Sequence, residues 1–127
     1  ELLEELRRRG ISCAVGSSGC RKNIDFVLDS CGIADYFSCI VSGDRVTRCK
    51  PDPEIYLLAA EGLHLPSAEC LVFEDAQAGI TAARRTGAGR IVALATTLPR
   101  HTLATQTEAD VVIDDFASIT DLNTLLL

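Results

Sequence analysis

Two adjacent carboxylates, Glu74 and Asp75, end the short apolar run Leu71-Val72-Phe73. A run of that kind reads as a buried strand. Acids at the C-terminal end of a buried strand lie where open α/β sheets bind ligands. Side by side they repel each other, so the pair favours a cation or a hydrogen-bonding partner. A few hard oxygen ligands suit Mg²⁺ with retained waters and a substrate phosphate. The same acids would serve equally as a cap for the small-residue helix that follows. On this stretch alone both readings stand.

Two other predicted strand ends carry chemistry of a different kind. Ile11 to Gly16 reads as a buried strand that ends in Ser17-Ser18-Gly19, just before a helix. Hydroxyls and backbone N–H groups at a helix start form a ready cradle for a phosphate or oxyanion. Phe37 to Val41 reads as a strand that runs through a polar stretch to Lys50. The ammonium of Lys50 is a point charge able to neutralise phosphate oxygens. Taken singly, Ser18 is also a plain N-cap and Lys50 a solvated surface lysine. Hydroxyl, ammonium and paired acids together are what phosphoryl transfer needs besides a nucleophile.

The elements that must position these groups alternate along the chain. Glu1 to Arg9 reads as a helix with acids first and arginines last, closed by Gly10. Further helices are expected from about Arg21 to Cys31, before Gly32, and from Pro53 to about Glu61, with Asp52 as N-cap and Gly62 as terminator. Cys70 to Phe73 is the third strand, Ala76 to Thr86 its helix, and Arg90 to Ala95 the fourth strand. A Thr-rich segment from Thr96 to Glu108 is expected to hold one helical turn. Val111 to Ile113 is a fifth strand and Ala117 to Leu126 a final helix. Strands alternating with helices imply parallel βαβ units and an α/β sheet covered on both faces. All strand C-terminal ends of a parallel sheet open on one edge, so Ser17, Lys50 and Asp75 are expected at the same rim.

The chain has 127 residues, 47% hydrophobic and 24% charged, which suits one domain with a real core. A net charge of −6 argues against a general nucleic-acid-binding surface. No apolar run has membrane-spanning length and no signal peptide is recognised, so no membrane partner is expected. The six cysteines form no Cys-x-x-Cys pair and read as reduced thiols in a cytoplasmic protein. His64 and His101 lack neighbours at metal-ligand spacing and read as surface residues. Thr96 and Thr97 end the fourth strand on the functional edge and are candidates to shape the site. Arg21 and Lys22 are candidates to hold an anion near Ser17, though exposed helix basics usually serve solubility.

Ala14-Val15-Gly16-Ser17-Ser18, Lys50-Pro51-Asp52-Pro53-Glu54-Ile55-Tyr56 and Val72-Phe73-Glu74-Asp75-Ala76-Gln77-Ala78-Gly79-Ile80, with Ala82-Ala83 and Gly87-Ala88, resemble the haloacid dehalogenase-like hydrolase superfamily. Within it the chain resembles the β-phosphoglucomutase-like phosphatases and mutases, over nearly its whole length. The resemblance implies a Rossmann-like three-layer sandwich with a mostly parallel sheet. It implies Mg²⁺-dependent phosphoryl transfer on a small phosphorylated metabolite such as a sugar phosphate. By that resemblance Ser17, with Ser18 beside it, binds the transferring phosphoryl group. Lys50 bridges nucleophile and phosphate, Asp75 ligates Mg²⁺, and Glu74 supports or ligates it, directly or through water.

The family's nucleophile and its acid/base partner lie in an Asp-x-Asp motif, and this sequence holds none. Asp114-Asp115 is adjacent and reads as the end of the fifth strand. Residues 1–127 are therefore expected to be a single core domain lacking the family's first strand and cap, derived from a longer protein and inactive alone. The family places the missing strand between those ending at Ser17 and Phe73. Its absence would leave unpaired backbone groups, so a partner strand is expected to fill the gap, or the two strands to close on each other. The competing function is a non-catalytic phosphate-binding or interaction module that pairs with another chain. A receiver-type phosphoacceptor is disfavoured, since Lys50 precedes Asp75.

Overall fold

The computed structural model describes residues 1–126. Helix α1 (Leu2–Arg8) leads into strand β1 (Cys13–Gly16). Helix α2 (Arg21–Cys31) and strand β2 (Phe37–Val41) follow, then helix α3 (Glu54–Gly62). Strand β3 (Leu71–Glu74), helix α4 (Gln77–Thr86) and strand β4 (Arg90–Leu94) form the next unit. Helix α5 (Arg100–Gln106) and strand β5 (Val111–Ile113) complete the regular elements. Every strand pair is parallel, as the alternation requires, and the fold is α/β.

The strands form two sheets rather than one. β1 pairs with β2, and β4 lies between β3 and β5. The break falls between β1 and β3, where the family pattern locates its absent strand. A partner strand in the gap or closure of β1 on β3 was expected, and β1 and β3 do not pair. α3 packs against β1 and β2 of one sheet and against α4, which covers the other. Tyr56 on α3 touches the core of each sheet, Ile80–Ile91–Leu103 on one side and Val41–Ile55–Ala59 on the other. β1 is only half-buried along its whole length.

The core is built from small and branched apolar residues. Val41, Ile80, Ala82, Ala83, Ile91, Val92, Ala93 and Leu103 are all fully buried. Each large member contributes roughly 1.5–3 kcal/mol by leaving water. Helices α2 and α4 stop where Gly32 and Gly87 take left-handed φ values of 67° and 78°. α3 differs. Gly62 lies inside its last turn, because a Cβ there would fall 2.2 Å from the Cys39 sulfur. The left-handed position passes to His64, φ 59°.

Two other expectations changed. The Thr-rich segment holds a full short helix, α5, anchored by the buried Leu103. The expected C-terminal helix is replaced by two single 3₁₀ turns, Phe116–Ser118 and Leu122–Thr124. Asp115 and Asp121 explain this: each carboxylate captures a nearby backbone N–H, of Ser118 and Asn123, and starts a new turn. Arg90 then secures the end of the chain by donating to the carbonyls of Thr124, Leu125 and Leu126. The six cysteines are all free thiols. Among the described residues no helix is long and apolar enough to cross a membrane.

Ile91→Ala should lower the unfolding free energy by about 2–5 kcal/mol. Phe26→Ala, on the exposed face of α2, should change it by less than about 0.5 kcal/mol. Urea denaturation of both variants checks the contrast. Asp110 offers a second test. Burial pushes its carboxyl up, but the Ile91 N–H at 2.8 Å and the Arg84 guanidinium at 2.9 Å outweigh this and hold it below the usual range. A depressed folded value contributes stability at neutral pH that is lost as pH falls through that value. Thermal melts should therefore show a steeper acid limb for the parent chain than for Asp110→Asn.

Candidate active site

The C-terminal ends of β1 and β3 and the loop before α3 surround one cavity of about 490 Å³, lined by Ser17, Ser18, Lys50, Glu74 and Asp75. The five residues singled out from sequence thus share one rim.

The serine loop is shaped by its neighbours. The Ser17 N–H donates to the Val41 carbonyl at 3.0 Å, and the Ser17 hydroxyl accepts from the Gly19 N–H at 3.3 Å. Gly43, after β2, donates to the Gly19 carbonyl at 2.8 Å. A Cβ on Gly43 would lie 2.2 Å from the Ser18 carbonyl oxygen, so only glycine permits this approach. The first N–H of α2, on Arg21, points to the Asp44 carboxylate at 3.4 Å. That end of the helix already has an anion, so the cradle reduces to the Ser17–Gly19 loop. Ser42 donates its hydroxyl to Asp44; first this bond and then the Arg21 N–H hold the Asp44 carboxyl below its usual range.

Lys50 reaches the cavity from a tethered loop. The Glu54 carboxylate accepts from the backbone N–H groups of Thr47 and Arg48, both at 2.9 Å. Asp52, expected as the N-cap, accepts from the Glu54 N–H at 3.0 Å, and α3 starts at Glu54 rather than at Pro53. The Lys50–Pro51 peptide is cis. The Lys50 ammonium donates to Glu74 Oε1 at 2.5 Å and to the Gly16 carbonyl at 3.3 Å. Their side chains are 14% and 6% exposed.

Glu74 and Asp75 have separate roles in the packing. Glu74 Oε2 accepts from the N–H groups of Asp75 and Ala76, at 3.1 and 3.3 Å. Oε1 takes Lys50 and the Tyr56 hydroxyl. Neither acid caps α4 with its side chain. A Cβ on Gly79 would lie 2.0 Å from the Glu74 carboxyl carbon, which accounts for the Glu-Asp-x-x-x-Gly spacing. Asp75 is less buried, and its Oδ2 accepts from the Thr97 hydroxyl at 2.9 Å. Thr96 takes no part in these bonds. Phe73 and Phe116 meet edge to face, 5.2 Å between centroids, and close one side of the cavity.

Tyr56, Glu54 and Gly79 were not picked out from sequence as functional. Tyr56 lies six residues past Lys50, with a double-proline turn between them that returns both side chains to one carboxylate. That spacing was the available signal. Burial, followed by the charge of Glu74, pushes the Tyr56 hydroxyl far above its ordinary pKa, so it remains a donor.

Residues 1–93 match the family model described as haloacid dehalogenase-like hydrolase. The protein CbbY of Rhodobacter capsulatus is 39% identical over 68% of this chain and 40% of its own length. Validoxylamine A 7'-phosphate phosphatase of Streptomyces hygroscopicus is 37% identical over 94% of this chain and 54% of its own length. Among solved structures, CbbY of Rhodobacter sphaeroides, crystallised with xylulose-(1,5)bisphosphate, superposes with a TM-score of 0.87 at 31% identity. That match covers 99% of this chain and 56% of the solved one. A β-phosphoglucomutase from Clostridium difficile gives 0.77 at 30% identity, over 90% and 47%. The chain spans about half the length of the relatives it matches. The family match and the parallel α/β fold lead to one conclusion: this chain belongs to the haloacid dehalogenase-like hydrolases.

Proposed function

We propose that this chain is the larger part of a core domain from a phosphatase or phosphomutase of the β-phosphoglucomutase-like group. Its substrate is a small phosphorylated metabolite such as a sugar phosphate. The observation that carries this reading is the meeting of Ser17, Lys50 and Asp75 at one cavity rim. A relative in Thermotoga maritima, 37% identical over 72% of this chain, is named phosphorylated carbohydrates phosphatase, which supports the substrate class.

Each residue has a distinct task in this reading. Ser17 and Ser18 bind phosphoryl oxygens through hydroxyl and backbone donors. Lys50 neutralises charge as it develops, from a site where low exposure strengthens the interaction. Enzymes of this superfamily generally use a divalent metal, and the fit here is to Mg²⁺. Asp75 lines the cavity with a protein donor on Oδ2 alone among the described residues, whereas both Glu74 oxygens are engaged by protein donors. Among the described residues no three acids, histidines or cysteines cluster as a metal site. Asp75 would therefore hold Mg²⁺ together with water, phosphate and a further carboxylate. When bound, the ion supplies electrostatic stabilisation of the phosphoryl oxygens. Glu74 supports this arrangement as the counter-ion of Lys50.

The nucleophile must come from a segment paired into the slot between β1 and β3, either a preceding stretch of the same protein or another chain. This chain alone is expected to be inactive. The open edges and the missing Asp-x-Asp equally support a second reading, a non-catalytic phosphate-binding module completed by a partner strand. The six free thiols support a reducing compartment, the cytoplasm, for either.

Phosphate titration followed by ³¹P NMR, with and without Mg²⁺, tests the site. Mg²⁺ should tighten phosphate binding by the parent chain, and Asp75→Asn should remove that gain while leaving the melting temperature nearly unchanged. Ser17→Ala should weaken binding roughly two- to tenfold, the value of one hydrogen bond. Phosphate binding that ignores Mg²⁺ and both substitutions would end this reading. Mg²⁺-dependent turnover of p-nitrophenyl phosphate by the chain alone would overturn the expected inactivity.

A further inference from the structure

Lysine is a flexible point charge with a long stem, and holding it in one place needs partners on several sides. Lys50 has three. Glu74 Oε1 lies at 2.5 Å, the Gly16 carbonyl at 3.3 Å, and the Tyr56 ring centroid at 4.9 Å from the ammonium. Tyr56 bears on all three. Its hydroxyl donates to Glu74 Oε1, the same atom that takes Lys50. Its ring presses on the end of β1, where a Cβ on Gly16 would lie 3.1 Å from the ring edge. The same ring faces the ammonium, an arrangement attractive in itself. Tyr56 packs against the cores of both sheets, which confines its ring.

We propose that Tyr56 is a positioning residue, whose hydroxyl and ring fix the Lys50 ammonium against Glu74 at the phosphate-binding rim. Without the hydroxyl, Glu74 Oε1 loses one of its two donors, and the carboxylate that holds Lys50 is no longer fixed. That the held ammonium serves phosphate rests on the function proposed above; that Tyr56 holds it does not.

The chain contains two lysines, Lys22 and Lys50, which makes a direct readout available. Lysine-selective ¹⁵N labelling gives two side-chain ammonium resonances, assigned through Lys22→Arg. Lys22 is exposed and should be broadened by exchange with water. Lys50 should give a sharp signal, with its Hε protons shifted upfield by the Tyr56 ring. Tyr56→Phe keeps the ring and should broaden the Lys50 ammonium signal to match Lys22, while raising the Kd for inorganic phosphate about five- to tenfold. Ile55→Val, buried on the same helix, loosens the core without touching the ion pair and should leave both readouts unchanged.

A Lys50 signal and phosphate Kd unmoved by Tyr56→Phe would overturn the proposal. So would equal effects from Ile55→Val, since the change would then be general loosening. If Tyr56→Phe fails to fold, the parent chain decides: absence of the upfield Hε shift removes the ring from Lys50 and ends the proposal. Should the parent chain not bind phosphate while Tyr56→Phe still releases the ammonium, the positioning role stands and the phosphate reading falls.

Discussion

Glu74 is a carboxylate with 6% of its surface exposed, and a charge removed from water that far must be compensated at once. Four donors do this: the Lys50 ammonium, the Tyr56 hydroxyl, and the N–H groups of Asp75 and Ala76. These donors come from the loop before α3, from α3 itself, and from the turn after β3. A single buried oxygen pair therefore ties the helix that packs on the first sheet to a strand of the second. The glycines follow from the same demand. Gly79 leaves room on α4 for the carboxylate, and Gly16 leaves room on β1 for the tyrosine that serves it. Removing one partner from such an arrangement is far more costly than the pair's net contribution, because it strands the other charge.

Compensation at Glu74 frees its neighbour. Two adjacent acids without separate partners would repel each other. Here they divide. Glu74 is buried and paired with Lys50, while Asp75 is less buried and takes Thr97 on one oxygen. The proposed cation site gains an unshared carboxylate, and the proposed phosphate site gains an ammonium with a fixed counter-ion. The strand end thus holds a cation, Lys50, through one acid and offers an anion through the next, at one cavity.

Much of this was legible before any coordinates. Strand–helix alternation, left-handed glycines at Gly32 and Gly87, and polar strand ends at Ser17, Lys50 and Asp75 are short-range signals, and each was read in place. The family's missing first strand located the break between the sheets. What could not be read depends on contacts distant in sequence. Gly62 resembles a helix terminator, yet its smallness serves the Cys39 sulfur on β2. The last residues have helical composition, yet two aspartates divert the backbone into separate turns. The start of α2 promised a free anion site, and Asp44, more than twenty residues on, occupies it. Tyr56 stood in the Lys50–Tyr56 stretch without a role, because the partner of its hydroxyl is decided by where β3 ends.

The split between β1 and β3 has a geometric corollary. Both strands finish at the cavity, at Gly16 and Glu74. An extended peptide running alongside them in the same direction would satisfy the two bare edges, with successive side chains on opposite faces. Its exit would deliver whatever residue it carried to a point between Ser17, Lys50 and Asp75. Zippering of the backbone and docking of a reactive group would then be one event, so register along the groove would govern chemistry as directly as any side chain does.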